Sequence, residues 1–223
     1  MTTTAQQQKA YKGWAMEGLI ARWYAQNTGK MLDQYQKAAD DVAAGLTSGS
    51  RVLEVAPGPG YFAIELARLG SYHIVGLDIS HSFVRIATEN AKAAGVEVEF
   101  RQGNVSSMPF ESNSFDFIYC RAAFKNFAEP VEAINEMYRV LKPGGTAVIS
   151  DLRKDASVGE IIVAVRGMNL GWINSLLTRW IFKHVLLKRA YSPDDFRRMA
   201  ARTPFGLCAV EPESIGMEVA FRK

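Results

Sequence analysis

RVLEVAPGPGYFAIELA, residues 51–67, decides the fold: an apolar, β-branched run stops at Pro57-Gly58-Pro59-Gly60, and a helical pattern begins at once. A strand that passes through a glycine loop into a helix is the first half of a βαβ unit. Glycine lets such a loop turn tightly and lie against a ligand, and the helix N-terminus behind it offers free N–H groups. The plainer alternative is a turn that needs glycine for geometry alone. Two prolines stiffen this loop, however, at the one crevice where an open α/β sheet takes up a nucleotide, and that favours a ligand.

Outward from this stretch the pattern repeats. RVLEVA (51–56), YHIVGLD (72–78), VEVEFRQ (96–102), FDFIYC (115–120) and TAVISD (146–151) read as five strands, with helical patterns in most of the intervals. Strands joined by crossover helices predict an α/β fold with a parallel, right-handed, doubly wound sheet. One helix starts from the N-cap Ser80, carries Val84, Ala87, Ala91 and Ala94 on its apolar side, and stops at Gly95. Another takes Pro130 in its first turn, carries Val131, Ile134, Tyr138 and Leu141, and ends at LKPGG (141–145). Near the C-terminus Ile215, Met217, Val219 and Phe221 alternate with small or polar residues at period two, the mark of a half-buried strand. GLCAVE (206–211) precedes it across Pro212-Glu213-Ser214, a link too short for a crossover, so residues 206–222 form an antiparallel hairpin. The sheet is then seven-stranded, mostly parallel, with a reversed last strand.

Composition narrows the function classes. With 223 residues, 48% hydrophobic and 22% charged, the chain reads as one domain: a helical arm over 5–46, a core over 50–151, an insertion over 155–203 and the hairpin. Lys and Arg number 26 against 23 Asp and Glu, a surplus too small for the basic footprint of a nucleic-acid binder. Cys120 and Cys208 stand alone, which supports neither a disulfide framework nor a Cys-based zinc site, and a reducing cytoplasm is expected. No metal is expected either, since only His73, His81 and His184 are present and no acidic cluster accompanies them. The N-terminus lacks the apolar core of a signal peptide, and no apolar run approaches the ~20 residues of a membrane span.

Which nucleotide binds is the sharper question. Gly58, Gly60 and Ala63 satisfy a dinucleotide fingerprint, and Asp78 follows where an acid would hold a ribose, so an NAD-dependent oxidoreductase stands as an alternative. Against it stands Glu54, a carboxylate in the first strand whose burial without a counter-charge would be costly. A cationic ligand relieves that cost. S-adenosylmethionine carries a sulfonium and an ammonium and has no pyrophosphate.

EVAPGPG, GLDIS, GNVSSMPFESNSFDFIYC and INEMYRVLKPGG, in that order over about 50–151, resemble the class I S-adenosylmethionine-dependent methyltransferases, and within them the ubiquinone/menaquinone biosynthesis group. The resemblance implies a Rossmann-like fold and a set of roles. Glu54, Ala56, Gly58 and Gly60 would lie along the methionine part of the cofactor. Asp78 would accept both ribose hydroxyls with Ile79 beside the adenine, and Asn104 and Val105 would grip the adenine amino group. Tyr24, in the aromatic stretch ARWYAQNTG, would fold over the methionine carboxylate, and Arg121 would act near the sulfonium through its backbone. Ala56 departs from the family's usual glycine and Asn104 from its commoner Asp; an amide oxygen still accepts a hydrogen bond. Lys125 and Asn126 align with the group's Arg-Asn pair, while Ala122 and Ala123 replace its Phe-Gly. Two residues are catalytic candidates. Lys125 would polarise or deprotonate an oxygen nucleophile, against the alternative of a solvated lysine on a short helix. Tyr191, in RAYSPDDF, would face the pocket, with Ser192 behind it as an N-cap. Trp14 and Trp23 read as packing residues.

Residues 161–193 contain no Asp or Glu, yet hold Arg166, Arg179, Lys183, Lys188 and Arg189 among Trp172, Leu176, Leu177 and Trp180. Three readings stand in order: a lid over a hydrophobic substrate, with helical phase leaving open whether Trp180 faces the pocket or the sheet, a helix packed on the sheet, and peripheral contact with anionic lipid. The expected function is methyl transfer from S-adenosylmethionine to a small, apolar or aromatic acceptor at C, O or N. A binding module without turnover is the second alternative.

Overall fold

In the computed structural model, which describes residues 11–12, 16–29, 32–167 and 171–223, the strands are β1 Arg51–Val55, β2 His73–Asp78, β3 Glu99–Gln102, β4 Phe115–Arg121, β5 Leu141–Leu152, β6 Ala209–Glu213 and β7 Gly216–Arg222. They form one sheet in the order β3-β2-β1-β4-β5-β7-β6. Strands β1 to β5 pair in parallel, and β7 runs antiparallel to both β5 and β6. The direction of winding changes between β1 and β4, so the loops that leave these two strands diverge and open a crevice at their C-terminal ends.

Among the described residues, eight helices of two turns or more accompany the sheet: α1 Gly18–Thr28, α2 Leu32–Ala43, α3 Tyr61–Leu69, α4 His81–Ala94, α5 Pro130–Val140, α6 Val158–Gly167, α7 Trp172–Ile181 and α8 Pro193–Ala200. β1 is buried on both faces, as a parallel strand with helices on either side must be. Val52 joins the apolar layer of Phe62 and Leu66 from α3, while Leu53 and Val55 join that of Ile134 and Met137 from α5. Alternation then sends Glu54 toward the α3 side.

The helix punctuation holds, with corrections of phase. Ser80 Oγ accepts from Phe83 N at 3.1 Å and Gly95 closes α4 at φ 69, but the buried stripe is Phe83, Ala87 and Ala91, which displaces Val84 and Ala94. α5 buries Ala133, Ile134, Met137 and Val140, while Leu141 is already the first residue of β5. Ser192 caps α8 reciprocally with Asp195. The hairpin is also shifted. Pro212 and Glu213 belong to β6, and the turn is Ser214-Ile215 with Ser214 at φ 49. Pro212 is tolerated because β6 is an edge strand, where a missing N–H breaks no ladder on the outer side. Trp23 is exposed rather than packed, and Trp14 lies outside the described residues. Among the described residues no helix is long and apolar enough to cross a membrane.

Candidate active site

A cavity of about 690 Å³ occupies the crevice, walled by the C-terminal ends of β1, β2 and β4, by α1, and by the run that follows α7. Its floor is acidic. Glu54 is buried and accepts from Ala63 N, a free first-turn donor of α3, at 3.2 Å. Burial outweighs that hydrogen bond and pushes its carboxyl up to about 8. Asp78, at the end of β2, accepts from Gly58 N at 3.0 Å and Ser80 N at 2.9 Å; burial still raises it to about 6. One carboxylate thus fixes the glycine loop against the end of β2.

The loop owes its path to left-handed residues at Ala56 (φ 55), Gly58 (φ 54) and Gly60 (φ 79). The two glycines have different reasons. A Cβ on Gly58 would meet no atom within 4 Å, and the residue lines the cavity. A Cβ on Gly60 would come to 2.8 Å of Phe100 Cζ and 2.9 Å of Ala87 Cβ. Gly60 is therefore a packing glycine ahead of α3 and does not line the cavity, which corrects the role expected for it. Ala56 occupies a backbone conformation that suits glycine, at the position where the resembling family carries one.

Ile79, Asn104 and Val105 share the cavity wall with Asp78. Asn104 Oδ1 already accepts from Ser106 N at 3.0 Å, so one of its two lone pairs is used locally. Tyr24 reaches the wall from α1, its ring edge-on to Phe83, and burial raises its phenol. Tyr11 and Tyr35 line the same wall, with Tyr35 pushed up to about 12 by burial. These two were missed, because the arm carries no motif that marks them. Arg121 lines the cavity, and its side chain reaches α2: Nη2 donates to Gln34 Oε1 at 3.4 Å, and the guanidinium lies over the Tyr35 ring at 5.6 Å. It ties β4 to α2.

Of the catalytic candidates, Lys125 lines the cavity and Tyr191 does not. Lys125 is no solvated lysine. It sits in a single 3-10 turn, Phe124–Asn126, with Nζ 2.8 Å from Asp151 Oδ1 and 2.5 Å from Ala122 O, and its backbone N donates to Asp151 Oδ2 at 2.9 Å. Tyr191 instead lays its ring edge-on to Phe124 and Phe196 and accepts from Lys12 Nζ at 2.5 Å. The apolar neighbours on α8 draw it away from the pocket. Asp151 is a residue the sequence reading missed, although a signal existed: it ends TAVISD as Asp78 ends YHIVGLD.

The insertion supplies Phe182, Leu186 and Arg189 to the far wall. Trp180 is not among them; it is exposed and stacks near His184, centroids 5.5 Å apart. Among the described residues no group of three or more His, Cys, Asp or Glu is placed to hold a metal.

A doubly wound sheet with a reversed β7, and acids near the ends of β1 and β2 beside a glycine loop, is an architecture the chain shares with solved structures described as S-adenosylmethionine-dependent methyltransferases. Residues 53–149 match the family described as "Methyltransferase domain". A demethylmenaquinone methyltransferase of Deinococcus radiodurans is 39% identical over 111 residues, 49% of this chain and 46% of the relative. A ubiquinone/menaquinone biosynthesis C-methyltransferase of Pasteurella multocida is 32% identical over 115 residues, 50% of this chain and 43% of the relative. The match thus spans about half the length of these relatives. A Methanococcus maripaludis structure assigned to the S-adenosylmethionine-dependent methyltransferases superposes with a TM-score of 0.76 at 19% identity, covering 95% of each chain.

Proposed function

We propose that the protein transfers a methyl group from S-adenosylmethionine to a small, apolar, aromatic acceptor, with a quinol ring as the first to test because the relatives include demethylmenaquinone methyltransferases. One observation carries the reading: a single cavity joins an acidic, glycine-bearing end at Glu54, Gly58 and Asp78 to an apolar end at Phe127, Phe182 and Leu186. The first half suits the cofactor. Glu54, held near 8 by burial, gains from a cation beside it. Gly58 leaves bare backbone facing open space, and Asp78, which takes backbone hydrogen bonds from Gly58, Ser80 and Ile79, still has acceptor capacity for a hydroxyl donor.

The donor supplies an electrophilic methyl on a positively charged sulfur, open to in-line displacement by the acceptor. The protein's part is placement and dryness. Asp151 holds Lys125 at both its backbone and its ammonium, and with Ala122 O as second partner one Nζ hydrogen remains for an acceptor oxygen. Such a contact stabilises developing phenolate or enolate charge. Phe182 and Leu186 keep water from that end, and Tyr24, a neutral phenol, offers a donor at the other.

The test is turnover with methyl-labelled S-adenosylmethionine and a short-chain demethylmenaquinol. Label should pass to the organic phase with one S-adenosylhomocysteine formed per methyl moved. Cofactor bound with no transfer to this or any other aromatic acceptor would support the binding-module reading instead.

A further inference from the structure

We propose that the outward face of α7 docks on an anionic lipid bilayer. Trp172, Leu176 and Trp180 repeat at i, i+4 and i+8, one line along a helix, and they are 75%, 57% and 57% exposed, with Leu177 beside them at 55%. A helix that merely packed on the sheet would bury these four. The apolar contacts of this region lie elsewhere, in a cluster of Ile161, Val165 and Leu187 with Phe182 against it.

Charge selects the occupant. No acid occurs over 161–193, and Arg166, Lys183, Lys188 and Arg189 are all exposed. Among the described residues none of the four makes an ion pair. A protein partner could match the apolar stripe; an apolar stripe in a segment whose only charges are cations is the complement of anionic headgroups over acyl chain. Tryptophan at both ends suits the headgroup level, and ten residues of α7 lie on a membrane rather than cross it. On the other side of the cavity α1, which lines it through Tyr24 and Thr28, exposes Leu19, Ile20 and Trp23.

The consequence for the acceptor rests on the methyl-transfer reading. Phe182 and Leu186 follow Trp180 directly and wall the cavity. A docked α7 therefore brings the apolar end of the cavity to the bilayer, and a lipid-dissolved acceptor enters with little exposure to water.

The experiment is sedimentation of the full chain with phosphatidylcholine vesicles, with and without phosphatidylglycerol, over a salt series. S-adenosylhomocysteine affinity is measured by calorimetry on the same samples, so that failure here is distinct from failure of the methyl-transfer reading. Binding should need the anionic lipid and weaken with salt. Trp172→Glu with Trp180→Glu should lower partitioning about tenfold or more, and Lys183→Gln with Lys188→Gln should flatten the salt dependence, each with cofactor affinity unchanged. No binding to anionic vesicles, or equal binding by these variants, overturns the proposal. So does self-association, seen by ultracentrifugation, that Trp180→Glu abolishes, since a second copy would then own the face.

Discussion

Asp151 grips Lys125 twice, Oδ1 at 2.8 Å from the ammonium and Oδ2 at 2.9 Å from the backbone N–H of the same residue. Both side chains are buried, so each is the other's compensation. Removal of one partner from such a pair strands the other's charge. Asp151→Asn should cost about 3 kcal/mol of folding stability in urea titrations, and Lys125→Met with Asp151→Leu should recover most of it while acceptor turnover stays low. A stability change in Asp151→Asn too small to resolve would mean that the cavity hydrates the pair.

Glu54 should make cofactor binding pH-dependent. Its carboxyl, raised from 4.5 to about 8, keeps a proton that the unfolded chain releases, so the ligand-free protein should lose stability as pH climbs between those values. A bound cation favours the ionised form. Binding should then expel a proton, and affinity should rise up to about tenfold per pH unit between about 6 and 8. Calorimetry in buffers of different ionisation enthalpy reads the proton directly, and Glu54→Gln should bind without one.

The two loop glycines should fail differently. Gly60→Ala drives a Cβ against Phe100 and Ala87, so melting temperature should drop with or without ligand. Gly58→Ala meets open space and suffers only backbone strain, of roughly 1 to 3 kcal/mol for a non-glycine held in such a region. It should fold and lose cofactor affinity. A folded Gly58→Ala of full affinity would show that the loop is a turn and nothing more.

Ala56 already carries such strain at φ 55. Ala56→Gly should leave stability unchanged or raise it by up to about 1 kcal/mol, since strain relief and the added freedom of the unfolded chain oppose each other. Ala63→Gly, inside α3, should cost about 1 kcal/mol or more. Thermal melts of the pair separate the two backbones.

The fold and the acidic, glycine-bearing end of the cavity were legible because periodicity and glycine spacing are local. Glu54 stood out by being an acid inside an apolar strand, and Asp78 by its place at a strand end. The acceptor half depends on which way long helices turn, and sequence phase did not fix that. Tyr191 sits one residue ahead of the Ser192 cap, yet α8 supplies Phe196, an apolar neighbour that holds its ring outside the cavity. Trp180 faces outward while Phe182, two residues on and so about 200° around the helix, lines the pocket. The Lys125–Asp151 pair joins residues 26 apart in sequence, across two strands, and no local pattern reports it.

The most direct test of the central claim is calorimetric titration of the chain with S-adenosylmethionine and with NAD, alongside Asp78→Asn. The account expects S-adenosylmethionine to bind one per chain with proton release at neutral pH, NAD to give no heat of binding, and Asp78→Asn to weaken binding by about 1.5 to 3 kcal/mol, the worth of hydrogen bonds to a charged group. Saturable NAD binding with no S-adenosylmethionine signal would contradict it.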